Sequence, residues 1–258
     1  MNKIGKTAQS LRDDGLTDTL KMIIWTLIGL KIRNYRLYRK IKNKRGIEVG
    51  GPSSFFIKEV PIYKNVKTLD GANFSSSTIW EGNLQEGKYY NYFENKKGHQ
   101  YISDATDLNK IESGKYDFLL SCNNLEHIAN PFKALTEWLR VIKKGGILFL
   151  VLPNNRNNFD HNRSIITLDH LMEDFENKVT EADLTHLDEI LALHDLSLDP
   201  LAGDFENFKN RSMNNFENRC LHQHVFDMTL LEQIFKHFNI QLITKASVKE
   251  HYVIVGKK

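Results

Sequence analysis

An α/β protein built on a mostly parallel sheet is what this sequence predicts, and three observations predict it. Five short apolar runs recur between residues 47 and 152, each ending at a turn. Buried parallel strands read this way because both of their faces are covered. The first run, Ile47-Glu48-Val49, enters the turn Gly50-Gly51-Pro52-Ser53-Ser54. Glycines there let a ligand approach the backbone, and small residues leave it room. The second run, 66–70, ends in Asp70, which lies 22 positions after Glu48. A carboxylate about 20 residues past the first strand is the expected partner of a ribose.

The remaining elements follow in chain order. Tyr101-Ile102-Ser103-Asp104 is a third strand candidate, 116–121 a fourth and 147–152 a fifth, introduced by Gly145-Gly146. Between the last two, residues 131–142 have helical spacing, with Phe132, Leu135, Leu139 and Ile142 on one face. Asn130 is placed to cap that helix, Pro131 suits its first position, and Lys143 and Lys144 suit its C-terminal dipole. Strand, helix, turn and strand make a right-handed βαβ unit. Beyond Pro153 the chain turns polar, and an acidic, helix-like insertion follows, with helices expected over 167–175 and 183–194. An amphipathic helix over 229–238 and strands over 241–244 and 251–255 close the chain. The division expected is a helical extension over 1–43 and a main domain over 44–258, with a lid-like insertion over 160–219.

With 258 residues, 41% of them hydrophobic, the chain suits one α/β domain with additions. A net charge of +3 gives no argument for nucleic acid as a partner. Cys122 and Cys220 lie far apart and form no CxxC, so neither a disulfide framework nor a structural zinc site is expected, and a reducing cytoplasm is the default. The longest apolar run, Met22–Leu30, is about half the length of a membrane span. Basic residues crowd the segment after it. The two together suit a helix packed on the main domain or on a second copy of the chain, or one resting on an anionic membrane surface.

These pieces, in this order, resemble the class I methyltransferases that use S-adenosylmethionine (SAM). The resemblance rests on Glu48-Val49-Gly50-Gly51, on Asp70, on Asp104-Ala105-Thr106-Asp107-Leu108, on Tyr116-Asp117-Phe118 through Asn124-Leu125-Glu126-His127, and on Arg140-Val141-Ile142-Lys143-Lys144-Gly145-Gly146. It implies a Rossmann-like, seven-stranded, mostly parallel sheet whose final strand is antiparallel. It also implies a cofactor site of Glu48, Gly50, Gly51, Ser53, Asp70, Asp104, Ala105 and Asn123. Asp70 would take the ribose hydroxyls, Asp104 and Ala105 would flank the adenine, and Asn123 would face the methyl group. The chain departs from the family where a third glycine is usual, since Pro52-Ser53-Ser54 stands there.

Methylating a hydroxyl needs a base, usually a histidine or a carboxylate. The candidates are His127 in the loop after the fourth strand, Asp160 and His161 just past the fifth, and His222 and His224, whose alternate spacing would put them on one side of an extended segment. No metal site is expected: HExxH is absent, and His186 and His194 are eight apart, with no histidine four positions from either. The polar insertion suits a hydroxyl-rich acceptor, and Arg156, Arg163 and Arg219 suit a phosphate or carboxylate on it. Asp160–Arg163, Asp169-His170-Leu171 and Asn218-Arg219-Cys220 look like methyltransferases found with bacterial glycan assembly enzymes. The leading expectation is therefore O-methylation of a sugar in a surface polysaccharide or its precursor. O- or N-methylation of a small metabolite, and a non-catalytic binding module, remain as alternatives.

Overall fold

The structure is a computed structural model and describes residues 40–248 and 250–258. Most of the expected extension, and with it the Met22–Leu30 helix and its membrane contact, lies outside the described residues. Among those that are described, no helix is long and apolar enough to cross a membrane.

Eight strands form one sheet. In chain order they are β1 (Arg45–Val49), β2 (Thr68–Asn73), β5 (Gly87–Phe93), β6 (Lys96–Ile102), β7 (Tyr116–Cys122), β8 (Ile142–Pro153), β9 (Gln241–Ser247) and β10 (His251–Lys257). The small hairpin β3 (Ser77–Thr78) and β4 (Gly82–Asn83) stands apart. Across the sheet the order is β5-β6-β2-β1-β7-β8-β10-β9. Strands β6, β2, β1, β7 and β8 run parallel. β10 is antiparallel to both β8 and β9, as the resemblance implies. The chain thus has the Rossmann-like methyltransferase architecture, with one strand more than the seven expected. The additional strand is β5, an antiparallel hairpin partner of β6. Its aromatic run Tyr89-Tyr90-Asn91-Tyr92-Phe93 is the sequence signal for it.

Strand β8 shows why the parallel runs are continuously apolar. Leu148, Leu150 and Leu152 face one core, and Ile147, Phe149 and Val151 face the other. The first core lies under α2 (Pro131–Val141), α3 (Leu168–Glu176) and α7 (Met228–His237), and the second takes Phe55 and Phe56 of the short α1 (Phe55–Lys58). Helix α2 starts as expected: Pro131 occupies its first turn, and the Asn130 side chain accepts from the Lys133 amide at 3.0 Å. Its inward face is Phe132, Leu135 and Trp138, with Trp138 wholly buried; Leu139 is only partly so. Within the insertion, α4 (Leu187–Leu193), α5 (Phe205–Met213) and α6 (Asn215–Asn218) surround a small core of Ile190, Ala202, Phe208 and Leu221. Helix α4 is shorter than the expected 183–194.

Candidate active site

Parallel strands direct their carboxyl ends to one edge, and the turns leaving β1, β2, β6, β7 and β8 line one cavity there. Its volume is about 850 Å³. The insertion roofs it with Glu181, His194, Arg211 and Arg219.

The floor is the β1 turn. Gly50 adopts a φ of +77°, and a Cβ on it would lie 2.6 Å from the Asn124 side chain. Only glycine holds that conformation without strain. Glu48 does not reach the cavity. It lies fully buried beneath the turn, where Tyr63 and Tyr90 donate their hydroxyls to it at 2.5 and 2.7 Å and the Ser53 amide donates at 3.1 Å. Burial pushes its carboxyl up to about 7, against those three hydrogen bonds. The Ser53 amide also donates to Tyr63 at 2.7 Å, so it is turned inward, away from a ligand. A Cβ on Gly51 would strike the Glu48 carboxylate at 2.3 Å, which is why a glycine stands there.

Asp70 is not at the strand end. The second strand continues through Gly71-Ala72-Asn73, and Asp70 lies level with Ile47 in β1. Its carboxylate accepts from the Tyr116 hydroxyl at 2.7 Å and the His99 amide at 2.9 Å, and it does not line the cavity. Asn73 and Phe74 occupy the expected place instead, followed by Trp80 and Glu81 of the β3–β4 hairpin. Thr78 donates its hydroxyl to Glu81 at 2.7 Å, and burial raises the Glu81 carboxyl.

Asp104 and Ala105 line the cavity where β6 ends. Trp138 donates its indole N–H to the Ala105 carbonyl at 2.9 Å, which ties that loop to α2. Asp104 is paired with Arg219 at 3.2 Å, and Arg219 also meets Glu181 at 3.4 Å and covers the Phe74 ring. Asn123, with a φ of +48°, lines the cavity after β7.

Of the five base candidates, Asp160, His222 and His127 line the cavity; His161 and His224 do not. His161 sits near the surface beside Asp195, at 3.8 Å. His224 turns to Asp174 in the insertion, at 3.0 Å, so the two histidines of the extended segment face different surroundings. Asp160 is buried and touches the Nδ1 of His222 at 2.5 Å. Arg163 donates to its other oxygen at 3.0 Å and to the His222 and Gln223 carbonyls at 2.7 and 3.2 Å. Burial works against the Asp160 charge, but His222 and Arg163 outweigh it and hold the carboxyl down at about 2. Burial likewise opposes charge on His222, and the Asp160 carboxylate lifts it above the ordinary imidazole value. His127 shares its Nδ1 with the Leu221 carbonyl at 3.0 Å, and burial followed by the His222 charge lowers it to about 3, so it stays neutral.

Glu126 is the site residue that sequence reasoning passed over. It lines the cavity wholly buried, neither carboxylate oxygen has a hydrogen-bond partner among the described residues, and burial raises it to about 7. Nothing local in the sequence marks it; its place depends on the insertion closing over the β7 loop.

Residues 64–150, a third of the chain, match the family model described as a methyltransferase domain. Similar solved structures include the chain in complex with the Haloferax volcanii Trm112 methyltransferase activator (11% identity, 96% of each chain covered, TM-score 0.49). Others are SAM-dependent methyltransferases from Methanosarcina mazei (15% identity, 86% of this chain and 96% of that one, TM-score 0.47) and Aquifex aeolicus (9% identity, 87% of each, TM-score 0.47). No curated protein matches the sequence. The matched segment runs from the loop before β2 through most of β8 and so contains the cavity residues that follow β2, β6 and β7, though not the β1 turn. Residues 64–150 therefore carry a methyltransferase domain, set in a sheet of Rossmann-like topology.

Proposed function

We propose that this chain is a SAM-dependent methyltransferase that O-methylates a hydroxyl of a polar acceptor, a sugar of a surface polysaccharide or its precursor, with His222 as the base and Asp160 as its orienting carboxylate. The observation that carries the reading is the buried Asp160–His222 contact of 2.5 Å opening on the cavity. Asp160 holds Nδ1 and leaves Nε2 for an acceptor hydroxyl, the arrangement by which a carboxylate fixes the tautomer of a catalytic imidazole. SAM supplies an electrophilic methyl group. His222 would hold the acceptor hydroxyl at its Nε2 and take up the proton that the oxygen loses on methylation. Glu126, with two unpartnered oxygens, is placed to receive a second hydroxyl of the acceptor.

The cavity fits the cofactor. Gly50 gives the close backbone approach, and Ala105 and Asn123 lie at strand ends. We assign the ribose hydroxyls to Glu81, since it follows β2 into the cavity and Asp70 does not. Arg163 braces the base and is too buried to hold an acceptor phosphate, whereas Arg219 lines the cavity.

Incubation with methyl-labelled SAM and a glycan extract tests the reading. Label in a saccharide is expected, as an alkali-stable ether. Label only in a small amine or metabolite favours the alternative acceptor, and no SAM binding by calorimetry favours a binding module.

A further inference from the structure

Outside the cavity, three histidines distant in sequence come together where the insertion meets the segment before α7. His170 is on α3, His186 caps the start of α4, and His224 lies in the extended segment before α7. One ligating atom from each lies within 4.8 Å of the others. Nε2 of His170 and Nε2 of His186 are 3.2 Å apart. Asp174, one turn after His170, adds an oxygen 3.5 Å from His170 Nε2 and 3.0 Å from His224 Nε2. All three ring pairs have centroids between 5.0 and 5.8 Å apart.

We propose that His170, His186, His224 and Asp174 bind one zinc-like divalent transition-metal ion that fastens the insertion to the sheet. Nitrogen and carboxylate donors of this kind suit zinc, and bonds of 2.0–2.1 Å in a tetrahedron set its ligands about 3.3 Å apart. The three donor separations of 3.0, 3.2 and 3.5 Å bracket that figure. Hydrogen bonding alone serves the cluster poorly. The His170 and His224 rings share the Asp174 carboxylate, and the Nε2 atoms of His170 and His186 confront each other, so protonating all three rings would crowd positive charge into one small cluster. Beyond the ligands, the other nitrogen of His186 faces Glu189 at 3.8 Å, as outer carboxylates commonly orient ligating histidines.

The ligands explain what the ion would do. Residues 170 and 174 belong to one insertion helix and 186 opens another, while the His224 amide donates to the Glu126 carbonyl in the cavity wall at 3.3 Å. Fixing His224 fixes the segment that carries His222 two residues earlier. No sequence motif announces the set, because its ligands come from three separate segments and only His170 and Asp174 share a helical turn.

The test uses the tag-free full-length chain. Its zinc content is measured by elemental mass spectrometry, zinc affinity by calorimetry, and coordination by the visible spectrum of the cobalt(II)-substituted protein. One zinc per chain, an intense tetrahedral cobalt spectrum and a zinc-dependent rise in melting temperature are expected. His186→Ala and Asp174→Asn should each weaken zinc binding by at least ~10-fold and remove the zinc-dependent rise. Absence of binding by the unaltered chain at millimolar zinc overturns the proposal, as does binding by folded His186→Ala equal to that of the unaltered chain. Glu126, His127 and His222 form a second group of possible donors in the cavity. Loss of zinc in Glu126→Gln with retention in His186→Ala would place the ion there and equally overturn it. None of these readouts depends on methyl transfer.

Discussion

Two carboxylates show how residue identity and residue role part company. Asp70 has the spacing of a ribose ligand but is spent on Tyr116 and His99. Glu81 lacks that spacing and faces the cavity. Asp70→Asn should leave SAM affinity near that of the unaltered chain and lower stability by about 1 kcal/mol, the size of one lost hydrogen bond. Glu81→Gln should weaken SAM at least ~10-fold with little change in stability, in proportion to a lost charge-assisted hydrogen bond. Calorimetry and chemical denaturation on the two variants separate the roles, and the reverse pattern would return the ribose to Asp70. At the base, Asp160→Asn should lower kcat by ~100-fold or more. Because Asp160 raises the His222 pKa, its removal also shifts the acidic limb of the pH–rate profile to lower pH. A loss of rate with an unmoved limb would show that His222 is not the titrating base.

Among the elements, α2 connects the core to the loop that lines the cavity after β6. Trp138 fills the centre of its inward face and reaches the Ala105 carbonyl at 2.9 Å. Arg140, two residues later, donates to the carbonyls of Leu108 and Ile111 at 2.8 Å each and pairs with Glu137. The helix therefore clips the whole 104–111 loop in place. Trp138→Phe keeps an aromatic ring but loses the donor, so a destabilisation of about 1–3 kcal/mol is expected, together with weaker SAM binding. Equal affinity in the two proteins would mean that Arg140 and Glu137, which accepts from the Leu108 amide at 2.9 Å, suffice to hold the loop. This helix was legible in the sequence because its cap, its proline and its apolar stripe are local features. The edge strand β5 was less so, since a strand that alternates irregularly has no strong period.

At the scale of the whole molecule, closing the insertion over the sheet buries acids that would be charged in water. Glu126 rises from 4.5 to about 7 through burial. Its folded form binds the proton more tightly than its unfolded form, so it favours folding below pH 4.5 and opposes folding progressively as pH rises to about 7. Buried histidines such as His127 act in the opposite sense below pH 6.5, so the stability of the unaltered chain mixes the two. The difference between Glu126→Gln and the unaltered chain isolates the acid. The variant should gain relative stability between pH 5 and pH 8, by up to about 3 kcal/mol, in thermal or denaturant unfolding. A constant difference across that range would show that Glu126 is solvated or paired in solution.

The sequence by itself determined the five parallel strands, the glycine turn at β1 and the cap of α2, because each is written in neighbouring residues, whereas the antiparallel finish came only as what the family resemblance implies. It also brought Asp160 and His222 forward as candidates, though not as partners. Only the tertiary structure decided that they meet, that Asp70 stops three residues short of its strand end, and that Glu126 is sealed without a partner among the described residues. Such facts depend on strand register and on contacts between segments tens of residues apart, such as the 62 that separate Asp160 from His222. Local periodicity carries no information about either.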